Sequence, residues 1–233
     1  MKTSIDVVDF HSHILPRVDH GSGSIETSLN QLQLAKSFDV TRIISTSHFY
    51  PHKHTLDSFL PLRSNAANEL LNKCKDDKIQ IKLGAEVLLC PGLENFASLK
   101  KLCFSGTKYI LLELPFLDFK DEYCETVEAL LDNGFDIILA HADRYPKDNI
   151  NTLIRLGVNK LQLNAESLAK FIKEKHLYSW IESGYVVALG SDIHGSDVTA
   201  YKKFSKAKSK LSDELAFIKE KSDKIWSEIE AIR

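Results

Sequence analysis

The sequence predicts an α/β barrel built on parallel strands, and three observations carry that expectation. Short β-rich runs alternate with helical stretches along the 233 residues, the order expected of βα units. Most of the runs are continuously apolar rather than alternating, as strands covered on both faces are. Gly134, Gly157 and Gly184 each stand just after a helical stretch and just before a strand, where a left-handed C-cap belongs.

The elements follow in order. Ile5–Phe10 reads as the first strand, and Ser24–Phe38 as a helix with Leu29, Leu32 and Ala35 on one side. Thr41–Thr46 is the second strand; a helix over Leu56–Cys74 follows, with Pro61 expected in its first turn, where a missing N–H costs nothing. The later strands are Gln80–Ala85, Tyr109–Leu112, Asp136–Ala140, Lys160–Leu163 and Tyr185–Leu189, with helices over Asp121–Asn133, Asn149–Leu156 and Leu168–Ser183. Leu211, Leu215, Ile218, Ile225 and Ile229 form a C-terminal helical stripe whose lysine-rich flank reads as a solvated face. Seven units in this length leave no room for a second domain, so residues 1–233 are expected to form one. A closed or nearly closed barrel fits. An open doubly wound sheet is the alternative, but no glycine-rich phosphate loop follows the first strand.

Composition narrows the function. Lysine and arginine total 30 against 32 acidic residues, a formal charge of −2, which argues against a nucleic-acid partner held by bulk positive charge. No apolar run is long enough to span a membrane. The start of the chain lacks the apolar stretch and cleavage site of a secretory signal, so a cytoplasmic location is expected. Cys74, Cys90, Cys103 and Cys124 show no CxxC spacing, and none has an arginine six positions on. They read as free thiols, and the phosphate loop of cysteine-based phosphatases is missing.

The polar residues collect where strands end. The runs lead into His11-Ser12-His13, Ser47-His48, Glu86, Glu113, His141 and Ser191-Asp192-Ile193-His194. In a parallel barrel these ends share one rim, the one on which active sites are built. His11-x-His13 and Asp192-x-His194 have period-two spacing, which sends both side chains of an extended pair to the same side. A single histidine or glutamate at a strand end is usually structural; six such ends in one chain point to a polynuclear metal site. Glu86 and Glu113 sit within apolar runs, where a carboxylate is costly without a partner. Imidazole and carboxylate together suit Zn²⁺, Mn²⁺ or Fe²⁺.

These motifs resemble the PHP (polymerase and histidinol phosphatase) family, and within it the manganese-dependent protein tyrosine phosphatases of bacterial capsule and exopolysaccharide systems. The matching stretches are Asp9-Phe10-His11-Ser12-His13-Ile14-Leu15-Pro16, Gly84-Ala85-Glu86-Val87, Ala140-His141-Ala142-Asp143-Arg144-Tyr145 and Ser191-Asp192-Ile193-His194. The resemblance implies a distorted (β/α)7 TIM-like barrel with two to three divalent ions, Mn²⁺ first and Fe²⁺ or Zn²⁺ as alternatives, at the C-terminal ends of the strands. By resemblance His11, His13, Glu86 and Asp192 hold one ion, Glu86 bridges to a second, and His48, Glu113, His141 and His194 complete the cluster. Arg144 matches a phosphate-contacting arginine, and with Asp192 and His194 forms the expected catalytic set. The implied partner is a phosphotyrosine protein, the tail of a capsule-system tyrosine kinase. Metal-activated water needs no protein nucleophile, and a phenolic leaving group of pKa about 10 needs little help from an acid. His194 or a metal-bound water is left to supply the proton.

Some positions depart from the family pattern. Asp19-His20-Gly21 stands where Asp-Asp-Gly is usual, so His20 is expected to take a ligand position with one negative charge fewer; Asp19 is the alternative if the loop shifts. His141-Ala142-Asp143-Arg144 replaces His-Pro-Glu-Arg. Arg17 is either an exposed loop residue or a second phosphate contact. His52 and His54 read as loop residues near the rim, His176 as structural, and Glu166 as a candidate to support a ligand. The rival functions are a histidinol-phosphate or other small-molecule phosphatase, a metal-dependent nuclease-like or amidohydrolase-like hydrolase, and a non-catalytic scaffold.

Overall fold

All nine strands of the computed structural model, which describes residues 6–116, 119–211 and 214–232, run parallel in one curled sheet. They are β1 (Asp9–Ser12), β2 (Arg42–Ser45), β3 (His48–Phe49), β4 (Gln80–Leu83), β5 (Glu86–Leu88), β6 (Tyr109–Glu113), β7 (Asp136–Leu139), β8 (Lys160–Asn164) and β9 (Val186–Gly190), in the spatial order β3-β5-β6-β7-β8-β9-β1-β2-β4. The two ends of that order are continuations of strands already inside it. Arg42 faces Gln80, Ser45 faces Leu83, His48 faces Glu86 and Phe49 faces Val87, a constant offset of 38 residues. Backbone bonds bridge the break, from Gly84 N to Ser45 O at 2.8 Å and from Glu86 N to Thr46 O at 3.1 Å. β2 with β3, and β4 with β5, are therefore two interrupted strands, and the sheet returns on itself as seven units.

The helices pack outside. They are α1 (Ile25–Ser37), α2 (Leu56–Lys73), α3 (Asp121–Asp132), α4 (Lys147–Arg155), α5 (Ala165–Ala169), α6 (Lys175–Glu182), α7 (Ala200–Leu211) and α8 (Glu214–Ala231). Ser24 caps α1 through Thr27 N, and Thr55 with Ser58 forms a reciprocal capping box on α2. Gly134, Gly157 and Gly184 take φ of 80°, 109° and 76°, the left-handed conformation expected of them.

The period-two alternation of the strands sorts the apolar residues into two clusters. On β6, Ile110 and Leu112 join the larger cluster beneath the helices; Tyr109 and Leu111 join a smaller one with Phe10, Ile44, Ile138 and Ala188. Ile225, Trp226 and Ile229 of α8 belong to that smaller cluster, which fills the barrel and closes its end nearest the strand N-termini. The next residue on the inward face of β6 is Glu113, so the alternation that fills the barrel also delivers a carboxylate to its opposite mouth.

Several expectations need correction. The first strand is Asp9–Ser12 rather than Ile5–Phe10, because pairing of Asp9 with Ile43 and Leu189 sets it, not the apolar run before it. His11 therefore lies within the strand, and Ile5 lies outside the described residues. Pro61 stands in the second turn of α2, since that helix starts at Leu56. The helix expected over Leu168–Ser183 is two helices, with Lys170 extended after α5 and Lys210 of α7 bonding its carbonyl. Phe171 and Ile172, which prolonged the apolar pattern, are solvent-exposed. Helix α4 begins two residues earlier than expected, at Lys147, and the C-terminal stripe is shared between α7 and α8.

Gly84 marks the break between β4 and β5. A Cβ there would lie 2.5 Å from the ring of Phe104. Gly84→Ala is expected to destabilise the fold by about 1–3 kcal/mol, the usual cost of overpacking, read as a lower urea midpoint. An unchanged midpoint would contradict this packing.

Candidate metal centre

Glu86 is buried to 1% exposure at the start of β5, and its neighbours are imidazoles. Its Oε2 lies 3.0 Å from His11 Nε2, 3.2 Å from His13 Nε2 and 3.0 Å from His48 Nδ1, while Oε1 lies 2.7 Å from His141 Nε2. Asp192 Oδ1 sits 3.5 Å from His11 Nε2, 3.4 Å from His13 Nε2 and 3.5 Å from His194 Nδ1. Glu113 Oε2 is 3.7 Å from His48 Nδ1, and Oε1 is 4.0 Å from His141 Nε2. These atoms fall into four overlapping donor sets: His13, His48 and His194; His11, His13 and Asp192; His11, Glu86 and His141; His48, Glu86 and Glu113. The strands explain the convergence, because β1, β3, β5, β6, β7 and β9 all end at this mouth.

The electrostatics are those of a compressed charge cluster. Burial opposes the protonated form of His11, but Glu86 and Asp192 outweigh it and lift its pKa to about 9. Burial, then the Glu86 charge, pushes Glu113 up to about 8. Burial, with His13 beside it, lowers His194 to about 4. Burial also works against the Glu86 carboxylate, yet His11, His13 and His141 hold its pKa well below the ordinary range.

The set fits divalent cations. His11 Nε2 and His13 Nε2 approach to 3.1 Å, so two basic nitrogens point at one space. His48 Nδ1, Glu113 Oε2 and His194 Nε2 are buried with no hydrogen-bond partner among the described residues. Orphaned donor atoms of this kind are rare and call for a partner. A mixed imidazole and carboxylate set suits Mn²⁺, Fe²⁺ or Zn²⁺.

An outer layer of bonds fixes the rings. Gln162 Oε1 accepts from His11 Nδ1 at 3.0 Å and from the His141 backbone N–H at 2.7 Å. Gln162 Nε2 donates to Asn164 Oδ1 at 2.9 Å, and Asn164 Nδ2 to Asp192 Oδ2 at 3.0 Å. Two amides of β8 thus connect three candidate ligands. Asp19 Oδ2 takes His13 Nδ1 at 2.8 Å and the His48 backbone N–H at 2.9 Å. Asp9 ties β1 to β9, accepting from the Ser191 backbone N–H at 2.8 Å and the Tyr201 hydroxyl at 2.8 Å. Donation from Nδ1 of His11 and His13 would make Nε2, the nitrogen of each ring that faces Glu86, the metal-binding atom. Close packing keeps the space small: a Cβ at Gly190 would lie 2.5 Å from His11 Cβ, and one at Gly21 would lie 2.1 Å from His13 Cβ. His141 and Asp192 take positive φ of 30° and 50°, a strained backbone of a kind that gathers at functional sites.

The remaining predicted residues divide. His20 belongs to none of the four donor sets; its ring stacks 4.6 Å from His194 and 4.8 Å from His48. Arg144 bonds Asp192 and lines a cavity of about 280 Å³ over the cluster. Arg17 pairs with Glu69 on α2. His54 accepts from the Tyr50 backbone N–H at 3.2 Å, and His176 packs edge-on against Trp180 at 5.1 Å. Glu166 is exposed and paired with Lys203 at 2.8 Å, so it supports no ligand; Asn164, two residues earlier, does. The four cysteines are free and none lines the cavity. Sequence reasoning missed Gln162, Asn164, Tyr50 and Phe116, of which the last two line the cavity. The signal for the first two was present: Gln162-x-Asn164 has the same period-two spacing as His11-x-His13.

Comparison with known proteins places this arrangement. Residues 7–225 match the model of the family described as capsular polysaccharide synthesis, CpsB/CapC. Tyrosine-protein phosphatase YwqE of Bacillus subtilis is 30% identical over 201 residues, covering 81% of this chain and 77% of that protein. Tyrosine-protein phosphatase CpsB of Streptococcus agalactiae serotype V is 23% identical over 206 residues, covering 82% and 84%. A crystal structure from work on YwqE of Bacillus subtilis and CpsB of Streptococcus pneumoniae, described as metal-dependent tyrosine phosphatases, superposes with a TM-score of 0.75 at 23% identity, covering 96% of this chain and 93% of that one.

Because Gln162 orients His11 without joining the donor sets, Gln162→Leu is expected to weaken Mn²⁺ binding by about 10–100-fold, the usual cost of losing such support, with the fold retained. Calorimetric titration with Mn²⁺ measures it; wild-type affinity would show that the amide positions nothing.

Proposed function

The chain belongs to the capsular polysaccharide synthesis CpsB/CapC family, and on that premise we propose that it hydrolyses phosphotyrosine in proteins with divalent ions held at the barrel mouth. The observation that carries this reading is Glu86, whose two oxygens are shared among four imidazoles beneath a cavity that Arg144 lines.

In this reading His11, His13, Glu86 and Asp192 hold one ion and Glu86 reaches toward a second, with His48, Glu113, His141 and His194 completing the set. Mn²⁺ is the proposed ion, with Fe²⁺ or Zn²⁺ as alternatives. When bound, the ions supply Lewis acidity to the phosphoryl group and lower the pKa of a water. The protein's own groups do the rest. Arg144 offers a planar, two-pronged donor that can pass from Asp192 to phosphate oxygens. Tyr50 and Phe116 give the cavity aromatic walls that suit a phenyl ring. His194, neutral near pH 7, presents an unpaired Nε2, which fits a ligand better than a proton donor. A phenolic leaving group makes few demands on an acid. Arg17, engaged with Glu69, has no part in this scheme. The cytoplasm as location, and the tail of a tyrosine kinase as substrate, are part of the same proposal. No helix among the described residues is long and apolar enough to cross a membrane.

Chelation should abolish hydrolysis of a phosphotyrosyl peptide, and thiol alkylation should leave it largely intact. Sensitivity to alkylation with indifference to chelators would sink the mechanism. His20→Asp tests the departure at the loop: if the position serves the metal centre, the variant should keep or raise Mn²⁺-dependent activity. A large loss would give the stacked imidazole a role of its own.

A further inference from the structure

The metal cleft does not end at the phosphate site. A second cavity of about 350 Å³ adjoins it, and Phe116 and Arg144 line both. We propose that this second chamber takes an apolar or aromatic side chain two residues from the phosphotyrosine of a polypeptide substrate. The inference rests on the phosphotyrosine reading above.

Beside the polar side chains of Arg144 and Asn149, the chamber offers walls that an apolar group can cover. Pro115 and Pro146 have no backbone N–H to strand away from water. The hydroxyl of Tyr145 already donates to Leu114 O at 3.1 Å and accepts from Leu114 N at 3.0 Å, so covering it leaves no unpaired polar group. Phe116 is 71% exposed, an apolar surface that gains from a cover. Its ring lies 6.1 Å from that of Tyr145, and Phe119 extends the same apolar lining.

Continuity with the metal cleft identifies the occupant. A phosphotyrosine ring in the first cavity, with its phosphate at Arg144, sits beside the shared Phe116. Side chains of an extended peptide alternate, so the residue two positions from the phosphotyrosine, about 6.6 Å further along the backbone, turns to the same side and faces the second chamber. A small aryl phosphate leaves that chamber empty. Selectivity between protein and small-molecule substrates would arise here and not at the metals.

Matched phosphotyrosyl peptides test this, carrying Phe or Ser two residues before or after the phosphotyrosine. The wild-type protein with Mn²⁺ should show about a tenfold higher kcat/KM for the Phe peptide, chiefly through KM. Two variants should bring that ratio toward one: Phe119→Ser, which removes a wall, and Asn149→Phe, which fills the chamber from α4. A wild-type ratio near one would overturn the subsite while leaving the phosphatase reading intact. So would a ratio that neither folded variant moves. Hydrolysis of para-nitrophenyl phosphate with no turnover of any peptide would overturn the protein-phosphatase reading and the subsite with it.

Discussion

Glu86 is a carboxylate shut away from water and met by imidazoles on both oxygens. A charge in that position costs several kcal/mol unless it is paired and bonded on every side. Within the protein alone the compensation is incomplete, since His48 Nδ1 approaches it without forming a hydrogen bond and Glu113 Oε2 nearby has no partner. Burial, and then the Glu86 charge, also oppose ionisation of Glu113, so the two carboxylates conflict. Cations placed between them resolve both conflicts, because nitrogen lone pairs and carboxylate oxygens then face positive charge instead of one another. The proposed metal centre is thus the arrangement in which this core becomes electrostatically consistent.

The sheet supplies the convergence. Continuous register between the two interrupted strands sets His48 directly opposite Glu86, and the inward face of β6 ends at Glu113. The pairing of Asp9 with β9 and its bonds to Ser191 and Tyr201 bring the His11-x-His13 and Asp192-x-His194 pairs together. Gln162 of β8 then holds the His11 ring, and Asn164 holds the Asp192 carboxylate. In the proposed centre these uncharged supports would position the ligands.

Much of this was legible in the sequence, for identifiable reasons. Histidines and carboxylates that end apolar runs stand out, because little else explains a charged group there; hence His11, His48, Glu86, Glu113, His141 and Asp192 could be placed on one rim. The glycine C-caps were legible because only a left-handed turn needs them. The start of β1 was not, since the residues that pair are fixed by neighbouring strands and not by the apolar run upstream. The breaks at Thr46–Ser47 and Gly84–Ala85 looked like strand ends, because a strand that continues after two residues leaves too short a signal. Gln162 and Asn164 escaped notice because neutral amides rarely announce a metal site, although their spacing carried the same period as the histidine pair. The identity of the chemistry came from resemblance to a family, and the relatives now found agree with it.

The proposed chemistry depends on Glu86 being shared between cations. A crystal grown with Mn²⁺ and measured at the manganese absorption edge tests this directly. Separate anomalous peaks are expected on the two sides of the Glu86 carboxylate, each within bonding distance of imidazole nitrogens. A map with no anomalous density at Glu86, the histidines bonded to it through their own protons, would contradict that sharing.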